Sequence, residues 1–275
     1  MIWAKSSKVY SKNKEAFEAE FSKTDEVELF EYWDDGVGEQ KTEYIPVQAN
    51  SDEWKMVEQK LNVKICQIRP RAGGCLRTGW NSKKLVISKL ERVQSYHFLK
   101  RYWFKLKEIR NKYEKLPHIQ INNLTKTMFH GMKSMDAKIV LDSKEGLDKR
   151  YTFVHRFGIG VYFAVCSDYS HPNYWFRSGN DQKGRVLRQI IMAEVITGLY
   201  LQGNNNDQKP RRHPKFKYNN DTNNNNEDNE ENIEGDKFVR CDSMSNHDLE
   251  EYCIMNIITD NNQAYPRYLI TYYEE

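Results

Sequence analysis

Phe129-His130-Gly131 and, further on, Gly158-Ile159-Gly160-Val161-Tyr162-Phe163-Ala164 are the two segments that decide how this chain folds. Phe129 and the residues before it read as a strand that ends on an imidazole. Gly131 behind it has no Cβ to stand between a planar ligand and the backbone N–H and C=O. Gly158 and Gly160 allow a sharp or positive-φ bend around Ile159, after which Val161 to Val165 read as a buried strand. Tyr162 then sets a flat ring with a polar tip beside the imidazole. Such a pocket suits an aromatic carboxamide joined to a sugar. Taken singly, both segments are ordinary, since a lone histidine is usually satisfied or on the surface and a lone Gly-x-Gly is usually a turn. Their order, continued by Ser170 and by Gln263-Ala264-Tyr265-Pro266-Arg267-Tyr268-Leu269-Ile270, gives them weight.

That order resembles the catalytic domain of the poly(ADP-ribose) polymerase family, the diphtheria-toxin-like ADP-ribosyltransferases. The resemblance covers about residues 42–275 and leaves 1–41 unassigned. Tyr44-Ile45-Pro46-Val47 and Ser51-Asp52-Glu53-Trp54 look like the start of the domain, with Ser51 as a helix N-cap and Trp54, Val57 and Leu61 at helical spacing. Ile87 to Gln94 is similar to the family's Ile-x-x-(Ile/Val)-x-Arg-Val-Gln-Asn block, with Ser95 replacing Asn; Gly146-Leu147-Asp148-Lys149-Arg150 is similar to Gly-Phe-Asp-x-Arg. The resemblance implies an α+β domain, a split mixed or antiparallel β-sandwich with flanking helices. It implies NAD as co-substrate, without a metal, and a protein acceptor.

Carried over by residue, His130 would hydrogen-bond a ribose hydroxyl of NAD. The Gly131 backbone and the Ser170 hydroxyl would grip the nicotinamide amide, Tyr162 would stack on its ring, and Arg150 would join the cofactor-binding set. The second stacking tyrosine is Tyr174, with Tyr169 the alternative, because Pro172 looks like an inserted residue. Polymerising members carry a Glu eight residues before the Gln of the Gln-Ala-Tyr-Pro block, a count that lands here on Met255. A thioether accepts hydrogen bonds weakly and cannot hold a ribose hydroxyl as a carboxylate does. Met255 as the third catalytic position implies transfer of single ADP-ribose units. A register with about four inserted residues would put Glu251 there and restore polymerisation. A binding module without transfer is the other alternative.

The chain of 275 residues is long enough for one large domain with a real core. Its five cysteines are odd in number and lack a Cys-x-x-Cys, which speaks against a disulfide framework and a structural zinc. No apolar run reaches membrane-span length, and the expected location is nuclear or cytoplasmic. A net charge of +3 does not by itself imply nucleic acid. The basic, aromatic stretch from Lys83 to Lys115 could be an RNA surface. Its Leu99, Tyr102, Leu106, Ile109 and Tyr113 fall at spacings of three and four, however, which favours the buried stripe of an amphipathic helix.

Residues 204–236 are dominated by Asn, Asp and Glu and are expected to be disordered, because they offer little to bury. Acceptor docking through Lys209-Pro210-Arg211-Arg212 is the functional alternative to a tolerated loop expansion. Residues 1–41 suggest a short helix over Glu15 to Phe21 and a hairpin start at Glu31 to Gly36, too short for a Trp-Trp-Glu module. With no all-helical regulatory domain ahead of residue 42, activation by DNA breaks is not expected.

Overall fold

The computed structural model describes residues 32–34, 37, 38, 40–64, 84–116, 119, 121, 123–151, 156–213 and 239–275. The helix expected over Glu15 to Phe21 lies outside them. Four helices and twelve strands follow in chain order among these residues: β1 (Glu43–Pro46), α1 (Asp52–Leu61), β2 (Leu85–Gln94), α2 (Tyr96–Glu114), β3 (Thr125–His130), α3 (Ala137–Leu141), β4 (Val161–Ala164), α4 (Ser167–Tyr174), β5 (Phe176–Asn180), β6 (Val186–Ile196), β7 (Tyr200–Gln202), β8 (Arg212–His213), β9 (Val239–Arg240), β10 (Ser243–Ser245), β11 (Met255–Ile258) and β12 (Ala264–Glu274). The sheet runs β1-β2-β12-β6-β3-β4-β11-β10-β7, with β5 also on β6; β8 and β9 form a separate ribbon. Its pairings are antiparallel except β10 with β7, so the α+β architecture is a mixed sheet with flanking helices.

β6 shows why the centre of the sheet is so apolar. Ile190 and Met192 pack in one cluster with Val57 and Leu61 of α1, while Ile191, Ala193 and Val195 pack in another with Ala137, Val140 and Leu141 of α3. Successive strand residues point to opposite faces, so a strand covered on both sides reads as a continuous apolar run. α1 starts where Ser51 Oγ accepts from the Trp54 N–H at 3.1 Å, and it buries Val57 and Leu61 completely. Each such aliphatic side chain contributes about 1.5–3 kcal/mol. α2 buries Leu99, Tyr102, Leu106 and Ile109 against Trp33, Ile196 and Tyr265, so the stripe is core and leaves the lysines outside.

The sheet splits at its middle. β3 pairs with β6 over six residues but with β4 at Phe129↔Ala164 alone, and the two strands then part. Into that fork His130 Nδ1 donates to the Tyr162 carbonyl at 2.8 Å.

Two expected boundaries move. Trp33, within the segment left unassigned, is buried and its ring centroid lies 6.1 Å from that of Tyr265; Asp34 bonds Gln94 and Arg92, and the Tyr96 N–H donates to the Gly38 carbonyl. Residues 32–41 are thus joined to the catalytic domain wherever they are described. The start of the expected disordered insert is ordered as well. Asn204 to Asp207 form a turn closed by Asp207 N–H to the Asn204 carbonyl, and β8 pairs with β9 at Arg212↔Arg240 and His213↔Val239. Backbone carbonyls and Asx turns do the holding there, which composition does not reveal. Residues 214–236 lie outside the described residues.

Candidate active site

The fork between β3 and β4 opens into a cleft of about 620 Å³. His130 and Gly131 come to it from the end of β3, Tyr162 from β4, Ser170 and Tyr174 from α4, and Met255 from the first position of β11. Six of the seven expected residues therefore share one wall. The seventh does not. Arg150 is absent from the cleft lining; its side chain is 70 % exposed and turned onto Asp148, whose carboxylate accepts from Arg150 Nε at 2.7 Å and from its amide at 2.8 Å. Burial raises the Asp148 carboxyl, but Arg150 outweighs it and holds that group below the usual carboxylate range. Asp148 itself lines the cleft, and among the described lining residues it is the carboxylate.

Chemistry at His130 follows from its one backbone contact. A carbonyl only accepts, so Nδ1 carries the proton. Burial holds the imidazole below its ordinary value of 6.5, outweighing the upward effect of the Tyr162 carbonyl. At neutral pH the ring is uncharged and Nε2 is a bare acceptor, ready for a hydroxyl proton.

Gly131 passes so close to α4 that a Cβ would meet the Tyr174 carbonyl at 2.3 Å, and the Lys133 N–H donates to that same carbonyl at 2.8 Å. Only glycine lets the end of β3 and the end of α4 meet. The Tyr162 hydroxyl is held on the far side of its ring: it donates to the Gly158 carbonyl at 2.7 Å and accepts from the Phe157 N–H at 3.1 Å. That fixes a ring face toward the cleft. The Gly158 bend is positive-φ (105°), and it is braced from beneath by the Ile159 N–H to the Asp207 carbonyl at 2.8 Å.

Tyr169 and Tyr174 do not compete for one place. Both line the cleft, with ring centroids 6.2 Å apart and planes at 27°. Burial pushes the Tyr169 hydroxyl up to about 12. Met255 is 5 % exposed and pairs with Ala164 at the foot of the fork, where it packs with Met244, Ile257 and Tyr162. The Asn246 carboxamide accepts from the Ile254 and Met255 N–H groups at 2.8 and 3.0 Å and sets the start of β11. Glu251 sits in a short 3-10 turn, Glu250–Tyr252, outside the lining. Lys133, Arg156, Met132 and Met135 also line the cleft and were not anticipated. The positive φ of Lys133 (50°) is invisible in its residue type.

A fold of this topology with this cleft defines an NAD-type ADP-ribosyltransferase domain, and the comparisons make the class specific. The family model described as the poly(ADP-ribose) polymerase catalytic domain matches residues 74–274, and the chain belongs to that family. It is also similar to a protein of Dictyostelium discoideum described as a probable poly [ADP-ribose] polymerase, 26 % identical over 175 residues. That stretch is 62 % of this chain and 48 % of the relative, so the chain spans about half the length of the curated relative it matches. Among the described residues no helix is long and apolar enough to cross a membrane.

Proposed function

We propose that the protein transfers single ADP-ribose units from NAD to a protein acceptor and releases nicotinamide. The observation that carries this reading is the convergence of His130, Gly131, Tyr162, Ser170 and Tyr174 on one cleft whose floor is Met255. These residues fit the co-substrate: Gly131 leaves open backbone where a Cβ would clash, Tyr162 and Tyr174 offer ring faces, and His130 Nε2 is a neutral acceptor. NAD supplies the glycosidic bond that breaks, and its nicotinamide becomes neutral on leaving, so no strong general acid is needed. The chain's own contribution is to hold. Ser170 and the Gly131 backbone orient the carboxamide, the tyrosines fix the ring plane, and His130 fixes the ribose through a hydroxyl.

Elongation asks for more. An incoming hydroxyl must be oriented, which takes a carboxylate, and a thioether at Met255 is a poor substitute. Asp148 is engaged by Arg150. Binding without transfer is the second reading, and the same Met255 supports it.

Incubation with NAD labelled in its adenylate half, followed by denaturing electrophoresis, separates the outcomes. One sharp labelled band is expected. A ladder would overturn mono-transfer in favour of polymer, and binding of NAD with no labelled band would favour the binding module.

A further inference from the structure

Helix α4 carries Tyr169, Ser170 and Tyr174 to the cleft, and its opposite face is fastened by a side chain with no part in the transfer. His171 is 7 % exposed. Its Nε2 lies 2.6 Å from Glu274 Oε1 and its Nδ1 2.9 Å from the Tyr272 hydroxyl. Glu274 as a carboxylate only accepts, so Nε2 bears the proton and Nδ1 accepts from Tyr272. The other carboxylate oxygen, Oε2, accepts from Arg188 Nη2 at 3.1 Å, and that guanidinium lies 4.8 Å from the ring of Trp175, the residue directly after α4. One carboxylate on β12 thus receives both the middle of the helix and its end.

The spacing makes this an orienting contact. Ser167, Asp168 and His171 share one helix face, and Ser170 and Tyr174 share another. Ser167 Oγ donates to the Leu61 carbonyl, and Asp168 lies 3.9 Å from Lys64. β12 lies between β2 and β6 and pairs with both over most of its length, so it is a rigid anchor. On a helix about 10 Å across, a rotation of about 20° carries a side-chain tip roughly 2 Å. A hydrogen bond does not survive that.

We propose that His171, through Glu274, is a positioning residue that fixes the rotation of α4 and so places Ser170 and Tyr174 at the nicotinamide end of the cleft. The inference rests on reading the cleft as an NAD site. Its reach is selective: a rotated α4 harms the grip on nicotinamide and spares contacts to the rest of the co-substrate.

The full chain is titrated with nicotinamide and, separately, with ADP-ribose, which lacks the nicotinamide. His171→Ala should weaken nicotinamide about tenfold or more, the scale of one lost charge-assisted hydrogen bond, and leave ADP-ribose within about twofold. His171→Gln, whose amide can still donate to Glu274, should recover most of the loss. Glu274→Ala should reproduce it, and serves alone if His171→Ala does not fold. Leu106→Val, in a core cluster away from the cleft, controls for a general loss of stability. Equal weakening of both ligands, or none, overturns the inference and leaves His171 a packing residue. A wild type that binds neither ligand overturns the reading of the cleft, and the inference with it.

Discussion

Met255 decides at the level of one side chain what the cleft can do after the first transfer. It sits buried at the foot of the fork, whereas Glu251 lies in a turn outside the lining. Met255→Glu should raise NAD hydrolysis severalfold or extend products to short chains, read as free nicotinamide and as a ladder. A buried carboxylate without a partner costs several kcal/mol or takes up a proton, which limits the gain. Glu251→Gln should leave transfer unchanged; abolished activity there, with no effect of Met255→Glu, would move the third position to Glu251. The histidines set the pH response. His130 and His171 are both held below 6.5, by burial first in each case. As pH falls through about 6.5 the unfolded chain takes up protons before the folded one, so stability is full above that pH and declines below it. Melting temperature should fall from pH 7 to pH 5, and His171→Gln should flatten the slope; a slope of opposite sign would contradict buried neutral imidazoles.

Elements made of apolar and glycine patterning were legible from the chain, and elements made of backbone contacts were not. Phe129-His130-Gly131 and the Gly158 to Ala164 run announce themselves because a glycine is required at each close approach, and β6 because a doubly covered strand is apolar throughout. Arg150 misled because its partner is two residues away, a local pairing that no motif distinguishes from a ligand contact. The root of the insert was missed for a different reason. What holds it is the Asp207 carbonyl under Ile159, and a carbonyl has no residue type. This root touches the site. Gly203 lies where a Cβ would meet the Phe157 carbonyl at 2.0 Å, and the Phe157 N–H holds the Tyr162 hydroxyl. Gly203→Ala should therefore cost about 1–3 kcal/mol by overpacking and weaken NAD binding by isothermal titration. Unchanged affinity would mean that the bend holding Tyr162 does not depend on the root.

At the scale of the molecule, the long polar stretch between β8 and β9 divides into a part the fold uses and a part whose ends the fold already brings together. His213 and Val239 are paired residues of the β8–β9 ribbon, so a chain leaving at one returns at the other. Arg240 Nη1 donates to the Pro210 carbonyl at 2.8 Å and the Cys241 N–H to the Arg211 carbonyl at 2.9 Å, which closes the base of the ribbon without help from 214–238. Lys112 reaches the Arg240 carbonyl at 2.7 Å and Asp242 at 2.8 Å, tying that base to α2. Two strands joined in register need only a two-residue turn such as Asn-Gly, and a shorter connection lowers the entropy of closing the loop. Replacing residues 214–238 by Asn-Gly should leave cooperative unfolding and NAD affinity within about twofold of the full chain. Extending the deletion back to residue 204 should not, because it removes Asp207 from beneath the Gly158 bend. Calorimetric unfolding and NAD titration of the two deletions side by side measure the difference. Equal behaviour of the two would show that the bend stands without its brace, and loss of cooperativity in the shorter deletion would show that 214–238 belongs to the core.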